Sequence, residues 1–144
     1  MNISILAELG LQEITMESGT TLIHAGTLNR NVYVLVAGKV RLLAKGHLIS
    51  EVDVPGTIFG EVSALLNAET TADVVVAEKS TFYVIEEFLG FIHQHPNACV
   101  SVAQILACRL VNMNNHFVYI KDQLAMVDHN LKDYIPVFPE QFKV

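Results

Sequence analysis

The sequence PGTIFGEVSALLNAETTADVVV, residues 55–76, carries the local signals that decide the fold. After its initial Pro-Gly, residues 57–59 predict a short strand, and Gly60 follows as a stop. Residues 61–66 begin with an acidic side chain and predict a short helix, since negative charge is favoured at a helix start. The β-branched run 73–77 predicts a further strand. This order indicates a short helix inserted between two strands.

Short apolar runs separated by turn residues continue on both sides of this stretch, from Glu13 to about Ile85. Gly38 is expected to end one strand, and Gly46 to make a turn between two others. Many short strands at this spacing predict an antiparallel sandwich or roll. The predicted strands cover residues 14–16, 20–24, 31–37, 40–44, 48–52, 57–59, 73–77 and 81–85.

Helical patterns flank the strands. Residues 1–10 have apolar side chains at helical spacing and end in glycine, which predicts a short N-terminal helix. Residues 88–92 fit a second short helix, and Pro96 breaks it and can occupy the first turn of the next. No Pro or Gly interrupts the sequence from there to about Leu131, so one long helix is predicted.

The long helix carries apolar residues at alternating spacings of four and three. More than three heptads of this pattern predict a coiled-coil seam, which indicates a homodimer formed helix to helix. The alternative is that the seam packs on the chain's own β unit. The seam residues are Leu106, Leu110, Met113, Phe117, Ile120, Leu124, Val127 and Leu131.

The composition favours one folded domain. The 144 residues are 51% hydrophobic and 17% charged, a balance that favours complete folding over disorder. We expect the domain to cover residues 1–131 and a tail with two prolines to cover residues 132–144. The longest apolar runs are too short to span a bilayer and no signal-peptide pattern opens the chain, so a cytoplasmic protein without a membrane partner is expected.

The charge and the cysteines narrow the function further. The net charge is −6, and the nine Lys and Arg residues are scattered rather than gathered on one face, which argues against direct nucleic-acid binding. Cys99 and Cys108 point to opposite faces of the predicted long helix and cannot bridge each other. We expect both thiols to be reduced and buried.

Gly60 and Glu61 carry the clearest chemistry. Unpaired N–H groups at a helix start can hold a phosphate, and the preceding glycine allows a ligand to approach the backbone. The Glu61 carboxylate would repel a phosphate, so it is better suited to accept hydrogen bonds from sugar hydroxyls. The alternative is an ordinary first turn of a helix, favoured by the dipole.

The chain resembles the cyclic-nucleotide-binding domain family, of the type found in catabolite activator proteins and in regulatory subunits of cAMP-dependent protein kinase. The resemblance extends over residues 11–131 and implies an antiparallel β-roll of the double-stranded β-helix or jelly-roll type. In this fold, mainly β with flanking helices, a short helix forms a phosphate-binding cassette and a long helix lies at the C-terminus. The matching segments are Gly26, VYVLVAGKVRL at 32–42, PGTIFGEVSAL at 55–65, TTADVVV at 70–76 and ILACRL at 105–110.

The resemblance also implies a binding site. Gly60 and the backbone amides of residues 62–64 would face a cyclic phosphate, and Glu61 would bind the ribose 2′-hydroxyl. Residues 65 and 66 would pack the cassette helix. Asn114 on the long helix would read the base, or else it is an ordinary solvated position. The implied ligand-binding residues are Gly60, Glu61, Val62, Ser63, Ala64, Thr70, Thr71, Ala72 and Asn114.

One position departs from the family pattern. Where the family carries Arg, a small residue and Ala, this chain has Thr70, Thr71 and Ala72. A bidentate, charge-assisted contact is thereby replaced by one neutral hydroxyl, and losing a hydrogen bond to a charged group costs about 1.5–3 kcal/mol. A cyclic nucleotide is therefore expected to bind weakly. A compensating cation would have to come from elsewhere, and the candidates are Arg30, Arg41, Lys79 or a second subunit.

Two functions remain open at this point. The first is a dimeric sensor that binds a small molecule and changes the pose of its C-terminal helix toward a separate protein partner. The second is a ligand-free interaction platform. No catalytic motif is present, so no enzymatic activity is expected. His93 and His95 diverge too far beside Cys99 to form a metal site, so no cofactor is expected beyond a possible cyclic nucleotide.

Overall fold

The computed structural model describes residues 1–127 of the chain. These residues belong to two units, Met1–Val102 and a second that begins at Ala103, and each unit is described by itself. The elements in chain order are α1 (Ile3–Glu8), β1 (Gln12–Met16), β2 (Thr21–Ile23), β3 (Val32–Ala44), β4 (His47–Val52), β5 (Ile58–Phe59), α2 (Glu61–Leu66), β6 (Asp73–Ile85), α3 (Phe88–Gln94) and α4 (Pro96–Val127).

Six strands within the described residues form one antiparallel sheet. The path is β1-β6-β3-β4, with β2 also paired to β6 and β5 to β3. The two long strands β3 and β6 therefore form the centre, and β4 lies at an edge. The predicted fold class, mainly β with flanking helices and a long C-terminal helix, is confirmed.

The prediction that Gly38 ends a strand is wrong. β3 runs through this residue as a single strand from Val32 to Ala44, and β6 likewise joins two predicted strands. Gly38 has φ +103°, and an added Cβ would clash with the Ser80 side chain on β6. The Ser80 hydroxyl accepts a hydrogen bond from the Lys39 amide at 3.0 Å. The glycine and the serine thus accommodate shifts in register where a break was expected.

The core of the first unit is formed by buried side chains of β2, β3, β5 and β6. Phe59, the last residue of β5, is 4% exposed and belongs to this core, so the residue before Gly60 is anchored. Burial of each large apolar side chain contributes about 1.5–3 kcal/mol. The buried cluster consists of Ile23, Leu35, Val40, Phe59, Val74, Val76 and Phe82.

The long helix α4 begins at Pro96, as predicted, and is described to Val127. Its predicted end at Leu131, the seam position there and the tail over residues 132–144 lie outside the described residues. Of the seam residues, Leu106 and Phe117 are half-buried, and the Val127 side chain lies outside the described part of the structure. The other four, Leu110, Met113, Ile120 and Leu124, are exposed.

Two further findings concern sequence predictions. Among the described residues, no helix is long and apolar enough to cross a membrane. Cys99 and Cys108 are free, but both are exposed. The expectation of buried thiols is wrong, because both cysteines occupy solvent-exposed positions of α4.

Candidate functional site

The predicted turn from strand to helix forms at Gly60. Strand β5 pairs with β3 through Phe59 opposite Tyr33, and Gly60 then takes φ +90°, a left-handed conformation that favours glycine. Helix α2 begins at Glu61 and ends at Leu66, with the bounds that the sequence predicts. The sheet thereby holds the first turn of α2 at a fixed place. We call residues 58–73 the cassette.

Glu61 is the buried carboxylate of the cassette. Its residue is only 4% exposed although it opens the helix, and a negative charge is favoured at that end of a helix. Burying a carboxylate is costly unless the fold provides for it. The fold therefore fixes an acidic group inside the turn, at the position that the resemblance implies for a ribose contact.

The space beside Gly60 is occupied. A Cβ at this position would clash with the Asn29 side-chain nitrogen and would lie 2.8 Å from the Asn31 carbonyl oxygen. Asn29 donates a hydrogen bond to that carbonyl at 2.6 Å. The chain's own asparagine therefore occupies the space on this side of Gly60, and the expected approach of a ligand to the Gly60 backbone stays a prediction.

Ser63 and Ala64 also form contacts within the protein. The Ser63 hydroxyl accepts a hydrogen bond from the Asn29 amide at 3.0 Å and donates one to the Ala68 carbonyl at 2.6 Å. The Ala64 amide donates to the Gly60 carbonyl at 3.1 Å. Of the amides implied to face a phosphate, that of Ala64 is thus engaged within the helix, because it makes the first intrahelical bond.

The outer face of α2 points to solvent. Val62 and Leu66 are exposed, the latter to 70%, and Leu65 is half-buried. The prediction that Leu66 packs the helix is wrong: the short helix turns its Glu61, Ser63 and Ala64 side inward. A six-residue helix has room for one buried face only.

Thr70 occupies the position of the family's arginine, and its hydroxyl is engaged. The Oγ1 atom lies 2.5 Å from the His24 carbonyl oxygen and 3.1 Å from that of Thr27, and it accepts from the Thr27 amide at 3.3 Å. A hydroxyl has one proton to donate, so these loop carbonyls compete for it. Thr70 therefore connects the loop after β2 to the cassette through hydrogen bonds.

The same loop is held at further points. The Ala25 amide donates to Asp73 Oδ1 at 2.8 Å, and the Gly26 amide donates to the Thr70 carbonyl at 2.7 Å. Thr71 is exposed and Ala72 is half-buried.

Asn29 and Asp73 were missed in the sequence analysis. The signal available for Asn29 was its place in Leu-Asn-Arg-Asn, since asparagine often bonds to backbone two residues further on.

The cations considered as replacements for the arginine are in ion pairs. Arg30 lies 3.8 Å from Glu87, Arg41 Nε lies 2.7 Å from Glu51, and Lys79 Nζ lies 2.8 Å from Glu17. These three pairs lie on the surface of the first unit, where ion pairs contribute little stability.

Two of these pairs change the ionisation of their members. A hydrogen bond from Arg41, followed by its charge, holds the pKa of the Glu51 carboxyl below its usual value. A hydrogen bond to Glu17, together with its charge, raises the pKa of the Lys79 amine. Both cations thus have a carboxylate that already binds them.

Asn114 belongs to the second unit, where it is exposed on α4. Its implied contact with a base stays a prediction.

In the first unit, a cavity of about 240 Å³ lies between α2 and the start of α3, lined in part by Asn29, Arg30, Asn67 and Glu87. Across residues 1–127, no group of three or more His, Cys, Asp or Glu side chains is placed to hold a metal ion.

Comparison with known proteins places this geometry in a family. A family model described as "Cyclic nucleotide-binding domain" matches residues 13–95. The chain is similar to the cyclic AMP receptor protein of Thermus thermophilus, with 31% identity over 99 residues, 64% of this chain and 45% of the relative. It is also similar to the Pycsar effector protein XpPycTIR of Xanthomonas perforans, with 29% identity over 123 residues, 83% of this chain and 40% of the relative. The chain thus spans less than half the length of either curated relative.

Solved structures give the same result. The catabolite activator protein of Thermus thermophilus matches with a TM-score of 0.69 and 26% identity, over 81% of this chain and 58% of that one. The N-terminal domain of a transcriptional regulator from Streptomyces coelicolor matches with a TM-score of 0.58 and 23% identity, over 80% and 88% of the two chains. The second likeness concerns the fold alone.

Proposed function

The chain belongs to the cyclic nucleotide-binding domain family, and from this premise we propose that it is a regulatory domain that binds a small molecule at the Glu61 end of its cassette. The observation that carries the proposal is the buried carboxylate of Glu61 directly after the left-handed Gly60. An acidic group at this position can accept hydrogen bonds from the hydroxyls of a ribose. The name of the similar cyclic AMP receptor protein supports the same class of ligand.

Cyclic AMP or cyclic GMP would bind this cassette weakly. Thr70 offers one hydroxyl where the family pattern has a guanidinium, and that hydroxyl is already hydrogen-bonded to the loop after β2. Losing a charge-assisted hydrogen bond costs about 1.5–3 kcal/mol, or roughly one to two orders of magnitude in affinity. The ligand contacts assigned to Val62, Ser63, Ala64, Thr71, Ala72 and Asn114 are part of this proposal.

We assign the transmission of ligand binding to a partner to the C-terminal helix. Four seam residues on α4 are exposed in the single chain, and exposed apolar surface at heptad spacing favours pairing of two helices. We take the chain to be a homodimer in which a ligand shifts the pose of α4 toward a separate protein partner. A ligand can do so only through a difference in its affinity for the two poses.

The remaining parts of the proposal concern class and location. A regulatory domain of this family needs no catalytic activity of its own, no metal and no direct contact with nucleic acid. Cys99 and Cys108 are free and exposed thiols, which suits a reducing compartment such as the cytoplasm. We take the domain to extend to residue 131 and residues 132–144 to be a tail.

The ligand site is tested with Glu61→Gln. Thermal unfolding is followed with a panel of ribose-containing ligands, including cAMP and cGMP, for this variant and for wild type. A ligand that binds the folded state raises Tm by mass action, and we expect Glu61→Gln to lose most of that rise, with affinity about tenfold lower. The matched control is Glu69→Gln, an exposed carboxylate of the same cassette that should respond as wild type does.

A wild type that no ligand stabilises at millimolar concentration would contradict the proposal. The same holds if Glu61→Gln binds as tightly as wild type. In the first case the second candidate function gains: a ligand-free interaction platform. The specific observation in its favour is the engagement of the Asn29, Ser63 and Thr70 side chains within the protein.

The homodimer is tested with Leu110→Glu combined with Leu124→Glu. Charges in the seam should separate the helices, so light scattering should give half the mass of wild type. The matched control is Val111→Glu combined with Val118→Glu, two exposed positions of the same helix outside the seam. A wild type that is monomeric at high concentration would rule out the seam as an interface.

A further inference from the structure

The cassette is rich in acidic groups. Glu61 is buried at the start of α2, and Glu69 and Asp73 follow in the same segment. The sequence has no Lys or Arg between Gly46 and Glu78. A phosphate bound in the cassette would therefore have to draw any Lys or Arg partner from outside this stretch of sequence.

The cations elsewhere in the first unit have carboxylates of their own. The pairs are Arg30 with Glu87, Lys39 with Glu78, Arg41 with Glu51 and Lys79 with Glu17. The fifth cation of this unit, Lys45, lies in the turn between β3 and β4. Recruiting one of the paired cations to a phosphate would leave a carboxylate without its partner.

Two of the three hydroxyl side chains of the cassette are also committed. Ser63 donates its proton to the Ala68 carbonyl, and the His24 and Thr27 carbonyls compete for the proton of Thr70. The Asp73 carboxylate accepts from the Ala25 amide. Ser63, Thr70 and Asp73 therefore offer a phosphate no uncommitted side-chain proton, and Thr71 is the remaining hydroxyl of the cassette.

From this balance of charge and hydrogen bonding we infer that the cassette accepts an uncharged ribonucleoside in preference to a cyclic nucleotide. The inference rests on the proposed function, since it concerns the same Glu61 site. A nucleoside keeps the ribose hydroxyls that a carboxylate can bind. It carries no phosphate charge, so it needs no cation at the position of Thr70.

The test is isothermal titration calorimetry of wild type, Thr70→Val and Thr70→Arg with adenosine, guanosine, cAMP and cGMP. Wild type should bind at least one nucleoside about tenfold or more tightly than the cyclic nucleotide of the same base. Thr70→Val removes the hydroxyl without adding charge and should keep the wild-type order. Thr70→Arg should reverse it, since a guanidinium supplies the charge-assisted contact.

The outcomes separate the inference from the proposed function. A wild type that prefers the cyclic nucleotide overturns the inference and leaves the proposed function in place. A wild type that binds none of the four ligands overturns both, and binding by Thr70→Arg alone would then identify a scaffold with a lost site. The comparison of ligands on wild type decides the inference even if Thr70→Arg fails to fold.

Discussion

The two halves of the cassette are formed by different kinds of contact. In the first half, residues 58–66, backbone geometry forms the feature: a strand anchored by Phe59, a left-handed Gly60 and a helix that starts at a buried carboxylate. In the second half, residues 69–73, side chains form it: Thr70 and Asp73 hold the loop after β2. The first half matches the family pattern, and the second half departs from it.

This difference is the basis of our proposal that the family scaffold is kept in this chain while the binding site is changed. The turn at Gly60 is needed for the sheet and α2 to join, so it is fixed by the fold whatever the ligand. A residue at position 70 is free to serve the ligand or the loop, and here a short hydroxyl side chain serves the loop. The departure at Thr70 therefore changes the chemistry of the cassette without changing its architecture.

Gly60→Ala should have the largest effect on stability. The substitution strains a left-handed backbone and drives a methyl group into the Asn29 side chain, so the free energy of unfolding should fall by about 3 kcal/mol. Urea denaturation measures it. Gly26→Ala is the control: its backbone is also left-handed but nothing lies within 4 Å, so it should cost about 1 kcal/mol. Equal losses would mean that Asn29 does not fill the space beside Gly60.

Ser63→Ala should have an intermediate effect. It leaves the Asn29 amide and the Ala68 carbonyl without their partner in a buried site, which costs about 2 kcal/mol of unfolding free energy. Ser18→Ala also removes one hydrogen bond to a carbonyl, at an exposed position where water can replace it, and should cost less than about 1 kcal/mol. The idea that Ser63 ties α2 to the loop fails if the two variants lose the same stability in urea.

Thr70→Val should have the smallest effect of the three. The shape of the side chain is kept while its hydrogen bonds to the loop are lost, so unfolding free energy should fall by about 1 kcal/mol. Amide hydrogen exchange in residues 24–27 should become faster, because the loop loses its hydrogen bonds to the Thr70 hydroxyl. Thr71→Val, on an exposed neighbour, should stay within about 0.5 kcal/mol of wild type. Unchanged exchange in the loop would contradict the fastening role.

Much of the fold could be predicted because it depends on local patterns. The bounds of α2 and the start of α4 follow from Gly60 and Pro96, residues whose backbone preferences act locally. The continuity of β3 through Gly38 could not be predicted, because it depends on Ser80, which is distant in sequence and adjacent across the sheet.

The site was less predictable than the fold for the same reason. Sequence reasoning found Glu61 and the departure at Thr70, since both lie within one recognisable segment. It could not find that Asn29 fills the space beside Gly60, because that contact joins two segments that only the folded sheet brings together. Nor could periodicity decide which side of a six-residue helix faces inward, and so Leu66 was misplaced.

The pairing of β3 with β6 on both sides of Gly38 has a consequence for how the first unit opens. The two strands pair from Val32 opposite Ile85 to Leu43 opposite Asp73, with shifts in register around Gly38 inside that span. Leu35 and Val40, on either side of this irregularity, belong to the same buried cluster, so we expect the two stretches of the ladder to open together as one cooperative foldon. The amide protons at its two ends should thus report a single opening event, in which the strand carrying Asp73 is released together with the one that begins at Val32.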